Sequence, residues 1–174
     1  MAVDLQRHVL TVWVEDRFGE LARIVGLFSG RGFNIDALTV NHTLEPGMSK
    51  VVLVTRGDEM VIEQIKKQLN KLVRVHKVKH TRDGEHLERE LCVVTLRCAT
   101  SRSREELERI VKLTGARIVT FSPTAFTVEV TASSAEIESF LELVRPLGIR
   151  DMVRSAPIAI AKPNLESDAA ESAA

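Results

Sequence analysis

The segment His8-Val-Leu-Thr-Val-Trp-Val-Glu15 alternates β-branched and aromatic positions, the pattern of a strand with one buried face. Asp16-Arg17-Phe18-Gly19 interrupts it, and Leu21, Ile24, Val25, Leu27 and Phe28 then recur at helical spacing. Gly32 is placed to stop that helix as a C-terminal cap. Phe33 to Val40 reads as a second strand, Glu45-Pro46-Gly47 as a turn, and Lys50 to Thr55 as a third strand. Asp58 is positioned to cap a second helix whose stripe is Val61, Ile62, Ile65, Leu69 and Leu72. Val73, Val75 and Val78 make a fourth strand. The order is β-α-β-β-α-β, a split βαβ unit.

The order then repeats. The polar stretch from His80 to His86 separates the halves. A strand is expected from about Arg89 to Cys98, then a helix with a Ser103/Glu106 capping box that stops at Gly115. Strands at Arg117–Phe121 and Phe126–Val130 follow, then a helix opened by a Ser133/Glu136 box and ended by Pro146 and Gly148. Ile149–Val153 closes the unit. The fold class is therefore α+β, with two ferredoxin-like (βαββαβ) domains. The expected divisions are residues 1–80, residues 81–162, and a disordered tail at 163–174 with almost no apolar bulk.

Composition narrows the function. Of 174 residues, 24 are Lys or Arg and 24 are Asp or Glu, so the formal net charge is zero. Phosphate neutralisation needs excess basic charge, so a nucleic-acid partner is not expected. Six Phe, one Trp and no Tyr leave little to stack on bases. No apolar run approaches the ~20 residues of a membrane helix, and no signal peptide is read. Cys92 and Cys98 fall six residues apart in one expected strand, about 20 Å, which is too far to bridge. Reduced thiols suit the cytoplasm. His76 and His80 sit four apart, but on an expected strand, where they read as neutral surface residues rather than metal ligands. Phosphate-loop and Ser-His-Asp patterns are missing, which favours a binding module over an enzyme.

The junction at Gly19 is the candidate binding site. The first N–H groups of a helix have no internal partners, and the positive end of the helix dipole attracts a carboxylate. Glycine keeps side-chain bulk away from such a ligand. Asp16 offers a partner for an ammonium group, and Asn34 offers both a donor and an acceptor. Together they suit a free α-amino acid. The same residues are equally read as a tight turn at Gly19 and a helix cap at Asp16.

The run from Val14 to Val40, with Gly26-Leu27-Phe28-Ser29 and Arg31-Gly32-Phe33-Asn34-Ile35 inside it, resembles the small, regulatory subunit of acetohydroxyacid synthase (acetolactate synthase). Gly57-Asp58-Glu59, the helix from Ile62 to Val73, and Glu88-Arg89-Glu90-Leu91 extend the resemblance over about residues 8–162. It implies an ACT domain in the first half and the family's second ferredoxin-like domain in the other. It implies no catalytic residues and no metal or cofactor in this chain. Thiamine diphosphate, magnesium and FAD would belong to the catalytic (large) subunit. The small subunit would bind that partner, raise its activity and confer feedback inhibition by valine in branched-chain amino-acid biosynthesis. The rival expectation is a stand-alone amino-acid-sensing ACT protein that controls another enzyme or transcription.

Carried over residue by residue, the effector loop is Asp16, Arg17, Phe18, Gly19, Glu20 and Leu21, and the facing strand contributes Asn34, Ile35 and Leu38. Asp16 replaces a commoner asparagine, and Phe18 is bulkier than the usual residue before the glycine. Strand two would lie at the sheet edge, where its apolar side chains call for pairing with a second copy. Valine is then expected between the loop of one chain and Asn34-Ile35 of the other, in a homodimer formed through the ACT domain.

Overall fold

The computed structural model describes residues 6–81 and 86–162, so the expected tail and much of the expected linker lie outside the described residues. The chain divides into two compact units, one of residues up to 87 together with those from 159 onward, the other of residues 88–158.

In the first unit, β1 (Gln6–Glu15), α1 (Glu20–Ser29), β2 (Ala37–His42), β3 (Met48–Gly57), α2 (Glu59–Leu69) and β4 (Val75–Thr81) follow in the expected order. The sheet is antiparallel with order β2-β3-β1-β4, so β2 is an edge strand. Alternation along the strands sends Leu10, Val12, Val14, Val51 and Leu53 to one face, where they meet Ile24 and Phe28 of α1 and Ile62, Ile65 and Leu69 of α2. Each such side chain, fully buried, contributes about 1.5–3 kcal/mol. The opposite face carries a smaller cluster, Val9, Val52 and Val54, against which Ala37 and Ala159 pack. Ala159 belongs to β9 (Ile158–Ala161), a strand with no counterpart in the sequence reading.

Helix α1 ends at Ser29 with Gly30 as its C-cap rather than Gly32, and Gly32 closes the turn that follows. The Gly32 N–H donates to the Ser29 carbonyl at 3.3 Å and the Phe33 N–H to the Phe28 carbonyl at 3.0 Å, with Gly32 at φ +70°. Phe33 packs edge-on against Phe28, ring centroids 6.1 Å apart. This corrects the start of the second strand. Phe33 is used to close the helix, so β2 begins at Ala37 rather than Phe33. The fourth strand likewise begins at Val75, leaving Val73 fully exposed in the preceding turn.

In the second unit, β5 (His86–Arg97), α3 (Ser101–Thr114), β6 (Arg117–Phe121), β7 (Ala125–Ala132), α4 (Ser134–Val144) and β8 (Ile149–Arg154) repeat the order, with strands arranged β6-β7-β5-β8. Its core holds Val94, Leu96, Leu107, Ile110, Val128, Ile137, Phe140 and Val144. Cys92 and Cys98 are both unpaired and buried in it, and burial raises both thiol pKa values. Asp58 caps α2 and the Ser133/Glu136 box opens α4, as read. The box expected at Ser103/Glu106 is displaced by one turn. Thr100 is the cap, its hydroxyl accepting from the Ser103 N–H while the Ser103 hydroxyl accepts from the Thr100 N–H. Ser103 reaches back as a glutamate would, so the helix starts earlier and Glu106 is left outside the cap.

No helix among the described residues is long and apolar enough to cross a membrane. No cluster of His, Cys, Asp and Glu among them has the makings of a metal site.

Candidate effector site at the start of the first helix

Strand β1 ends at Glu15, opposite Met48. The Asp16 N–H donates to the Gly47 carbonyl at 2.7 Å, which ties the loop to the β2–β3 turn. Gly19 occupies the N-cap of α1 in the left-handed region, φ +85°, and no side chain caps the helix. Asp16 is therefore not the helix cap that the alternative reading allowed. Its carboxylate lies 3.2 Å from His42 Nδ1. A Cβ at Gly19 would meet nothing within 4 Å, so the space before the helix is open. Uncapped N–H groups, the dipole and open space together form a surface that favours an anion.

The other loop residues divide sharply. Phe18 is fully exposed and Leu21 partly so. Glu20 is the reverse, 3% exposed, with its Oε1 accepting from Arg23 Nη1 at 2.5 Å and from Arg74 Nη1 at 3.0 Å. It faces inward and fastens the helix start to the segment before β4. Arg74 also lies 3.9 Å from Glu15, which in turn lies 3.5 Å from His76 and 3.8 Å from Arg17. His76 is an exposed surface residue, as expected, and sits beside this charged network. His80 departs from the expectation, since its Nε2 lies 3.0 Å from Nδ1 of the buried His8. Neither Arg74 nor His42 was found from sequence, because nothing local marks a partner 54 or 26 residues away.

Asn34 is exposed, its Nδ2 donating to Asp36 Oδ1 at 2.6 Å, and Asp36 is paired with Arg56 Nε at 2.8 Å. The Thr55 hydroxyl donates to the Asn34 carbonyl at 2.6 Å. Ile35 and Leu38 are half-buried against the core, with Leu38 opposite Leu53. The strand register separates the two parts of the site. Asp16 follows the end of β1 that pairs with Met48, whereas Asn34 precedes Ala37, which pairs with Val54. Those ends are six residues apart along β3, a span of about 20 Å. One protomer does not bring the loop and Asn34 together.

Two family matches cover almost all of the described chain. Residues 10–77 match the AHAS small subunit-like ACT domain and residues 89–163 match the small subunit of acetolactate synthase. The probable acetolactate synthase small subunit of Methanothermobacter thermautotrophicus is 41% identical over 155 residues, 89% of this chain and 92% of that protein. The chain belongs to the acetolactate synthase small-subunit family. The isozyme 3 small subunit of Escherichia coli is 37% identical, with 90% of this chain and 96% of that protein covered. The crystal structure of the acetolactate synthase small subunit from Thermotoga maritima superposes with a TM-score of 0.82 at 28% identity, covering 92% of this chain and all of the other. This family is the regulatory component of acetolactate synthase and not its catalytic subunit, which agrees with a site built of a helix terminus and hydrogen-bonding groups.

Proposed function

We propose that this chain binds a thiamine-diphosphate-dependent acetolactate synthase catalytic subunit in the cytoplasm, raises its activity, and makes it sensitive to valine. Thiamine diphosphate, magnesium and FAD belong to that partner. Valine is the ligand of this chain, held at a homodimer interface formed along β2. One observation carries the reading of the site, namely the uncapped, sterically open N-terminus of α1 behind Gly19.

The register argument supports the shared site. If two β2 edges pair antiparallel about the middle of the strand, Ala37 of one copy comes to the His42 end of the other. His42 is in contact with Asp16. The partner's Asn34 is then carried across the sheet to the loop, which a single protomer does not achieve. The carboxylate of valine meets N–H groups beside Gly19 and the amide of Asn34, and the ammonium meets Asp16. The side chain lies on Ile35 and Leu38. The exposed apolar residue of the β2 edge, Val40 at 41%, is covered in the same assembly.

Reconstitution tests the proposal. Acetolactate formation is measured for the catalytic subunit alone, for this chain alone, and for the mixture, with and without valine. Stimulation in the mixture, inhibition by valine and no turnover by this chain alone are expected. A mixture no faster than the catalytic subunit alone would refute the regulatory reading. A stimulated but valine-insensitive mixture would refute the effector assignment.

A further inference from the structure

The face of the first unit's sheet turned away from its helices concentrates positive charge. Trp13 of β1 is paired across the sheet with Lys50 of β3 on one side and Lys77 of β4 on the other, and Thr11 is paired with Lys79. Register therefore sets three lysines around one indole. The Lys50 and Lys77 ammonium groups lie 5.5 and 5.4 Å from the Trp13 ring centroid, within cation–π range. Strand β9 walls the space through Ala159, Ile160 and Ala161, leaving a cleft of about 220 Å³. Lys50 donates to the Ala159 carbonyl at 2.9 Å. Among the described residues no carboxylate lines the cleft, and Lys77 and Lys79 have no carboxylate partner.

Holding three like charges around one cleft is unfavourable unless something of opposite sign is present. Burial first, and the Lys79 charge second, lower the Lys50 pKa from its ordinary value. The cleft is smaller than the ~300 Å³ at which sites for larger organic ligands begin. It suits a compact group rather than one with a bulky organic body. We infer that the Lys50, Lys77 and Lys79 cleft on the Trp13 face binds a compact, multiply charged oxyanion, either a phosphate-type or a di- or tricarboxylate group. This site lies on the opposite sheet face from the α1 terminus and does not depend on the valine assignment.

Trp13 is the only tryptophan and the chain has no tyrosine, so intrinsic fluorescence reports on this cleft alone. The full-length protein is titrated with pyrophosphate and, separately, with citrate, at ionic strength held constant with sodium chloride. A saturable change in Trp13 emission is expected with one or both. Saturation by pyrophosphate only assigns phosphate chemistry, and by citrate only carboxylate chemistry. Saturation by both assigns recognition of charge. The Lys77→Gln/Lys79→Gln protein should bind at least tenfold more weakly. Lys79→Gln alone, which leaves both ammonium groups on the indole, should weaken binding severalfold and serves if the double variant misfolds by circular dichroism. The inference is overturned if neither anion gives saturation, if chloride produces the same change, or if a folded variant binds as tightly as the parent.

Discussion

Gly19 is held by two separate constraints. Its φ of +85° lies in the left-handed region, which costs other L-residues about 1–2 kcal/mol, and its missing side chain leaves the helix terminus open. Gly19→Asp adds a third effect, since two like charges ~4 Å apart repel by about 1 kcal/mol even in water. The expected outcome is loss of valine inhibition at concentrations that saturate the parent, with stimulation of the catalytic subunit largely kept. Gly19→Ala separates the causes. It carries the backbone strain without the charge and should retain most of the sensitivity. Inhibition curves on the reconstituted enzyme, read beside thermal midpoints, check both. Glu20 behaves differently, because its carboxylate is buried and already accepts from Arg23 and Arg74. Glu20→Ala should destabilise the first unit by about 1–3 kcal/mol in chemical denaturation, since it removes two charge-assisted hydrogen bonds accepted by a buried carboxylate. At this scale the glycine was legible in the sequence. The inward turn of Glu20 was not, because its partner Arg74 is brought near only when β4 pairs with β1.

Among the elements, the first turn of α3 and the edge strand β2 are the informative ones. Thr100 and Ser103 cap each other across the start of α3, so Thr100→Ala should cost about 1 kcal/mol of stability. Glu106→Gln should cost far less, because Glu106 takes no part in the cap. Denaturant midpoints of the two variants distinguish this start from the one expected a turn later. The sequence reading placed a single box at Ser103 and Glu106, because Ser103 reaching back to Thr100 in the place of a glutamate is not a pattern that marks a helix start. The choice falls to where β5 ends, since Cys98 is buried and its N–H donates to the Thr124 carbonyl at 3.0 Å. For β2, Val40→Lys places a charge beside the edge that the proposed dimer buries. Sedimentation equilibrium should show dissociation at concentrations at least tenfold higher than for the parent. An unchanged dissociation constant would move the interface elsewhere.

On the scale of the whole assembly, the ~20 Å between the loop and Asn34 makes a prediction that single variants do not. If each valine site takes its loop from one copy and Asn34 from the other, Gly19→Asp and Asn34→Asp each spoil both sites of a homodimer. A mixed dimer of the two variants has one site with both lesions and one with none. Co-refolding them should restore part of the valine inhibition that neither shows alone, measured on the reconstituted enzyme. No restoration would mean that each site lies within one copy.

The βαββαβ order, both sheets' helix-facing residues and the glycine stops came from short-range regularities: period-two strands, i and i+4 stripes, and residues suited to a cap or a positive φ. These depend on neighbours within about one turn of chain, so they are written in the sequence itself. The resemblance over residues 14–40 also lay in a contiguous run. Pairings between distant segments were invisible there: Glu20 with Arg74, Asp16 with His42, His8 with His80, and the lysines of β3 and β4 gathered around Trp13. Strand β9, carrying Ala159 to the outer sheet face, belongs with them. Those contacts follow from strand register, and register is set by the packing of the whole sheet against its helices, a property no local stretch contains.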